Sequence, residues 1–245
     1  MLNKNFGMKN IESLNIKIFA DGADKSTMLD MAKKSHIQGL TTNPTLMKAA
    51  GIRDYRQFAQ EILTGIQDKP ISFEVFSDEF EEMERQALEI ASWGKNVYVK
   101  IPVTNTRSVS SAELIKSLVK QEVKLNITAI LTLEQVAEIA RCLNPALPSY
   151  VSVFAGRIAD TGRDPLPIMQ KALEILKPNK LAELIWASPR ELLNVIQAND
   201  IGCHVITATP DILKKLSFIG KDLGEFSLDT VKMFHRDAKE AGFDL

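Results

Sequence analysis

Short runs rich in Val, Ile and Phe recur along the 245-residue chain, and most are followed by a stretch whose apolar residues return at helical spacing. This rhythm predicts strands at Ile16–Ala20, Gln38–Thr41, Ile71–Phe76, Val97–Ile101, Lys124–Ile127, Tyr150–Val153, Leu184–Ala187 and Cys203–Thr207. Their mean spacing is about 27 residues, close to the ~30 of a βαβ unit. Helices are predicted between them at Thr27–Ser35, Tyr55–Ile66, Glu79–Ser92, Ser111–Val119, Leu133–Cys142, Pro165–Leu176, Arg190–Gln197 and Pro210–Leu216. Several of these starts carry a capping residue, such as Asp78 before Glu79–Glu82 or Thr132 before Leu133–Gln135. Eight strands alternating with eight helices predict an α/β protein with a closed (β/α)8 TIM barrel. An open doubly wound sheet more often has about five to seven strands.

No low-complexity segment, Gly/Ser linker or charge run interrupts the chain, so a single domain over residues 16–245 is expected. Residues 1–15 form a polar N-terminal leader outside the rhythm. At the other end, Leu228–Ala241 reads as an extra C-terminal helix, with Val231, Phe234 and Ala238 on one face. Such a helix covers the barrel bottom or docks on a neighbouring subunit, and a homo-oligomer is expected.

Charge then removes several function classes. Thirty basic side chains stand against 31 acidic ones, a net charge of −1, which gives neither the positive field of a nucleic-acid binder nor that of an anionic-membrane binder. No apolar run approaches the ~18 residues of a spanning helix, and Met1–Lys17 lacks the apolar core of a signal peptide, so a cytoplasmic location is expected. Cys142 and Cys203 lie far apart and read as core thiols, while His36, His204 and His235 are isolated, so no metal site is expected. Neither GxGxxG nor GxxxxGK[ST] occurs, which disfavours dinucleotide and P-loop chemistry.

A (β/α)8 barrel carries its chemistry where strands end, so polar residues at those ends are the informative ones. The first strand runs into Asp21 and the second into Thr41-Thr42-Asn43-Pro44. Ser72 and Glu74 share a face of the third, Asn126 and Thr128 share a face of the fifth, Ser152 precedes Phe154 on the sixth, and the seventh ends Trp186-Ala187-Ser188-Pro189-Arg190. The fourth, Val97-Tyr98-Val99-Lys100-Ile101-Pro102, holds the strongest signal. Both faces of a barrel strand are covered, so Lys100 is predicted buried, where desolvation drives an amine pKa down by up to about 3–5 units. A neutral, oriented amine is the nucleophile that forms a Schiff base with a carbonyl. The alternative is a structural lysine, salt-bridged to Glu74 or Asp21. Asp21 has a second reading as a turn or capping residue, Asn43-Pro44 as a turn dipeptide with an N-cap role, and Asn126 with Thr128 as a hydrogen-bonded barrel layer. Their joint placement on five or more strand ends favours function.

These residues resemble the transaldolase family, class I Schiff-base aldolases that include the short bacterial transaldolases and the fructose-6-phosphate aldolases. The motifs in order are Phe19-Ala20-Asp21, Gly39-Leu40-Thr41-Thr42-Asn43-Pro44-Thr45, Glu74-Val75, Val99-Lys100-Ile101-Pro102, Asn126-Ile127-Thr128, Val151-Ser152-Val153-Phe154-Ala155-Gly156-Arg157 and Ala187-Ser188-Pro189-Arg190. The resemblance implies that Lys100 forms the imine, that Asp21 takes the C4 hydroxyl proton as the C3–C4 bond breaks, and that Glu74, helped by Thr128, activates a water. It implies hydroxyl binding by Asn43 and Asn126, with Thr41 and Ser152 among the substrate-binding residues, and phosphate binding by Arg157, Ser188 and Arg190, where free backbone N–H groups would add donors. Glu74 and Phe154 match transaldolases, whereas the aldolases carry glutamine and tyrosine there. Two departures stand out: Ala20-Asp21-Gly22 replaces the usual leucine, aspartate, threonine run, and Pro189 and Glu191 flank Arg190.

The activity implied is transfer of a dihydroxyacetone unit from a ketose phosphate, such as fructose 6-phosphate or sedoheptulose 7-phosphate, to an aldose phosphate such as erythrose 4-phosphate. It requires no cofactor, because the lysine is the electron sink. The competing readings are a lyase that releases free dihydroxyacetone and a non-catalytic barrel that binds a sugar phosphate.

Overall fold

The computed structural model describes residues 10–244, so most of the expected leader lies outside the described residues. Two compact units are present: residues 15–214, and a second that joins the residues up to Leu14 with those from Lys215 onward. The first is a closed barrel of eight parallel strands, β1 (Lys17–Asp21), β2 (Ile37–Thr41), β3 (Ile71–Glu74), β4 (Val97–Pro102), β5 (Leu125–Ile130), β6 (Ser149–Val153), β7 (Ala182–Trp186) and β8 (Val205–Ala208), in chain order. Its helices are α1 (Lys25–Ala32), α2 (Pro44–Ala49), α3 (Tyr55–Gly65), α4 (Phe80–Ala91), α5 (Ala112–Lys120), α6 (Leu133–Ala140), α7 (Ala155–Ala159), α8 (Leu166–Leu176), α9 (Leu193–Asp200) and α10 (Pro210–Lys214).

Parallel strands flanked by helices are buried on both sides, and β6 and β8 are buried at every position. An aromatic cluster fills the barrel below its mouth. Phe19 packs edge-on to Tyr150 with ring centres 5.5 Å apart, and Tyr150 lies 4.4 Å from Tyr98. Gly39 makes room for this filling, since a Cβ there would come within 2.5 Å of the Phe19 ring.

All eight expected strands and the helices between them are present, with boundaries that differ by a few residues. The capping role expected of Asp78 is a correction: the cap position of α4 is Glu79, without a side-chain bond, and Asp78 instead accepts from the Thr106 N–H and hydroxyl at 2.7 Å each. Thr132 does cap α6, reciprocally with Gln135. The helix expected from Arg190 starts at Leu193, because Asn194 Oδ1 accepts from the Arg190 and Glu191 N–H groups and holds them in a turn. Helices α2 and α7 escape the pattern because six and five residues are too short to display a period.

The second unit contains two 3-10 turns, Ile11–Ser13 and Lys215–Phe218, and helix α11 (Leu223–Glu240). The helix starts earlier than expected because Asp222 caps the Glu225 N–H. Lys221 Nζ sits 4.8 Å from the Phe226 ring centre, and Leu223, Leu228, Val231 and Phe234 are exposed.

Candidate active site

Strand register brings the chemistry together. Glu74 on β3 is opposite Lys100 on β4, and Lys100 is opposite Asn126 on β5, so three polar side chains stand at one level of three adjacent strands. Lys100 is 6% exposed, as expected of a buried lysine. Its Nζ lies 3.1 Å from Glu74 Oε2 and donates to the Thr42 carbonyl at 2.8 Å. Lys100 is thus salt-bridged, as its structural reading expects, and it also lines a cavity of about 420 Å³ at the barrel mouth.

Asp21, Thr41, Asn43, Glu74, Lys100, Asn126, Thr128, Ser152, Phe154, Arg157 and Ser188 all line this cavity. Asp21 accepts from the Thr41 hydroxyl at 2.8 Å, and Thr41 shares a 2.6 Å hydrogen bond with Thr207. The carboxyl of Asp21 is raised above its ordinary value of 3.8, first by desolvation, against the pull of the Lys100 charge and the Thr41 bond. Asn126 donates to Ser72 Oγ at 3.0 Å and accepts from Ser152 Oγ at 2.7 Å, which fixes its amide in a hydrogen-bonded layer. Asn43 Oδ1 caps α2 through the Leu46 N–H at 2.9 Å, so the N-cap role of this residue is realised while its Nδ2 has no partner among the described residues. Thr128 Oγ1 is buried and likewise has no partner among the described residues.

The β6–β7 side is built differently. Arg157 faces the Phe154 ring, its guanidinium carbon 5.6 Å from the centroid. Ser188 adopts a left-handed backbone at φ 56°, and its carbonyl lies so close to Gly156 that a Cβ there would fall 1.6 Å from the oxygen. Arg190 is outside the lining residues. Its guanidinium donates from Nε to Asp160 Oδ1 at 2.8 Å and from Nη1 to the Ser188 carbonyl at 2.9 Å. The free N–H groups expected here need correction for Arg190 and Glu191, because Asn194 occupies both.

Three contributors were missed. Thr207 carries the same strand-end signal as Thr41 and was open to the same reasoning. Asp160 follows a helix too short to register. Tyr55 gave no signal, since its hydroxyl reaches the backbone of Glu74 from α3.

Fold and site define a (β/α)8 barrel with a buried lysine–carboxylate pair at the carboxyl ends of its strands. Residues 18–245 match the family described as Transaldolase/Fructose-6-phosphate aldolase. The chain is 36% identical over 202 residues to a "Probable transaldolase" of Thermoanaerobacter sp. (strain X514), covering 82% of this chain and 89% of that one. It is 33% identical over 227 residues to a "Probable transaldolase" of Clostridium acetobutylicum, covering 92% and 99%. The chain therefore belongs to the transaldolase/fructose-6-phosphate aldolase family. Solved structures share the barrel at low identity. 2,3-Dimethylmalate lyase, a PEP mutase/isocitrate lyase superfamily member, aligns with a TM-score of 0.54 at 13% identity over 95% of this chain and 86% of its own. KGPDC from Streptococcus mutans aligns at 0.57 and 9% identity over 81% and 90%. No helix among the described residues is long and apolar enough to cross a membrane.

Proposed function

We propose that the protein is a transaldolase that moves a dihydroxyacetone unit from a ketose phosphate to an aldose phosphate through an imine on Lys100. The observation that carries this reading is the buried Lys100–Glu74 pair, 3.1 Å apart and opening onto the mouth cavity. Glu74, which already touches the amine, takes a proton from the Lys100 ammonium, the neutral Nζ adds to the C2 carbonyl, and the carbinolamine loses water as Glu74 returns that proton to the departing hydroxyl. The Thr128 hydroxyl supplies a buried site for that water. Asp21 takes the proton of the C4 hydroxyl as the C3–C4 bond breaks. Its raised pKa brings a carboxylate base closer to its working pH, and the Thr41 bond orients it. The aldose phosphate leaves, the three-carbon enamine adds to the acceptor aldehyde while Asp21 returns the proton, and hydrolysis frees Lys100.

Asn126, fixed by Ser72 and Ser152, and Asn43 through its Nδ2 hold the hydroxyls of the retained unit. Arg157 and Ser188 take the phosphate, with Arg190 joining when its bond to Asp160 opens. Phe154 brings no hydroxyl to the imine, so the enamine waits for an acceptor aldehyde. The exposed apolar side chains of α11 support a homo-oligomer, and the two buried free thiols fit a cytoplasmic setting. The test measures dihydroxyacetone release from fructose 6-phosphate with and without erythrose 4-phosphate, alongside borohydride trapping of a three-carbon adduct. Transfer is expected to be far faster than release. Equal rates would assign the chain to the lyases, and an absence of trapping would leave only a sugar-phosphate binder.

A further inference from the structure

The β2–β3 ladder opens beside the site for a covalent reason. In a parallel pair, alternate residues of one strand donate to its neighbour. Here the Leu40 N–H donates to the Pro70 carbonyl at 2.9 Å and the Thr42 N–H to the Ser72 carbonyl at 3.1 Å. The next rung would run from residue 44 to the Glu74 carbonyl, but residue 44 is proline and has no N–H to give. The chain turns there into α2, and Glu74 loses its neighbour on that side.

The hydroxyl of Tyr55 fills the gap. It accepts from the Glu74 N–H at 2.8 Å and donates to the Glu74 carbonyl at 2.9 Å, satisfying both backbone groups with one side chain. Burial raises the phenol pKa, so the hydroxyl keeps the proton it donates. Because the Glu74 N–H is taken by Tyr55, the Thr42 carbonyl, which the same ladder would have paired with it, is left to receive Lys100 Nζ at 2.8 Å. The ring is held in turn by Phe73, Phe76 and Trp93, with centroids 6.2, 5.8 and 5.5 Å away.

We propose that Tyr55 is the positioning residue of the site: its hydroxyl closes the broken ladder onto Glu74, and so fixes both the Glu74 carboxylate and the Thr42 carbonyl that orients Lys100. This inference rests on the reading of Glu74 as the proton-transfer group in imine formation.

The experiment measures the rate of imine trapping, kcat and KM for the ketose in the native protein and in Tyr55→Phe, Glu74→Gln, Trp93→Phe and the double variant Tyr55→Phe/Glu74→Gln. Tyr55→Phe is expected to slow trapping and kcat by about ten- to a hundred-fold, the scale set by misplacing a catalytic group by about an ångström. KM should stay nearly constant, because the hydroxyl touches no substrate. The double variant should lose less than the two single losses combined, since part of the Tyr55 effect passes through the Glu74 carboxylate and part through the Thr42 carbonyl. Trp93→Phe loosens the same aromatic cluster but keeps the hydroxyl. Assayed below the lowest melting temperature, it gives the baseline for a purely structural loss.

Native-like trapping in Tyr55→Phe, a loss matched by Trp93→Phe, or additive losses in the double variant would each overturn the proposal and leave the role of Glu74 standing. Native-like trapping in Glu74→Gln would remove the underlying reading as well, and that outcome is distinguished by the single variant alone.

Discussion

Two ion pairs stand at the same barrel mouth and obey opposite rules. Lys100–Glu74 has side chains 8% and 16% exposed, whereas Arg190–Asp160 has side chains 46% and 52% exposed. Taking the first pair out of water costs several kcal/mol per ion, offset here by good geometry and by the Thr42 carbonyl. Removing either partner leaves the other charge stranded. The second pair is wet and screened, and its partners can separate at little cost. Asp160 is nonetheless held below its ordinary pKa, chiefly by the hydrogen bond from Arg190, so it stays charged and keeps the guanidinium beside it. The buried pair thus suits covalent chemistry that needs a fixed amine, while the exposed one suits a cation that exchanges a carboxylate for an incoming phosphate.

The largest expected effect breaks the buried pair. Lys100→Met should lose all turnover and all borohydride trapping, since no other lysine among the described residues lines the cavity. It should also leave Glu74 without a counter-ion, a cost of about 3–5 kcal/mol if the carboxylate stays charged. Adding Glu74→Gln to it should recover much of that stability in thermal melts while activity stays at background. Residual trapping in Lys100→Met would overturn the assignment.

A smaller but still large loss is expected from Asp21→Asn, which sits between the two pairs in character. Bond cleavage should slow by about 10²–10⁴-fold while the imine still forms and can be trapped. The same variant tests the pKa. Because folding raises the Asp21 carboxyl above 3.8, the folded state holds its proton more tightly than the unfolded chain does. That contribution to stability is complete below 3.8 and is lost as pH rises through the folded value. Asp21→Asn should remove this loss, so that its stability relative to the native protein improves as pH rises above 3.8. Denaturant midpoints measured at several pH values check the sign, and a difference that is flat or runs the other way would show that Asp21 is not desolvated in the folded protein.

The mildest change concerns the exposed pair. Arg190→Ala should raise KM for a phosphorylated sugar by roughly tenfold, the value of a charge-assisted contact, and affect an unphosphorylated analogue much less. Its melting temperature should not move. Equal KM changes for both sugars would make Arg190 structural.

The legibility of these features followed the range of the physical signal. Lys100 was visible because, in an alternating apolar strand with both faces covered, a lysine must be buried and therefore either paired or reactive. Asp21, Thr41, Asn126 and Ser152 were visible because each ends or lines a strand. Asp160 and Tyr55 were not, since a partner's identity depends on which helix folds over which strand end. The expectation of free N–H groups after Ser188 failed for a related reason: the Asn194 side chain that occupies them lies in the next helix.

The sequence by itself determined the eightfold alternation, the burial of Lys100 and the cluster of polar strand ends, because the two-residue and 3.6-residue periods are local and follow from backbone geometry. Only the tertiary structure decided that Glu74 faces Lys100 at 3.1 Å, that Tyr55 closes the rung Pro44 leaves open, and that Asp160 holds Arg190 beside the cavity and outside its lining. Register and helix placement are fixed by packing of the whole barrel, and no local pattern encodes a distance between residues that meet only when the sheet closes.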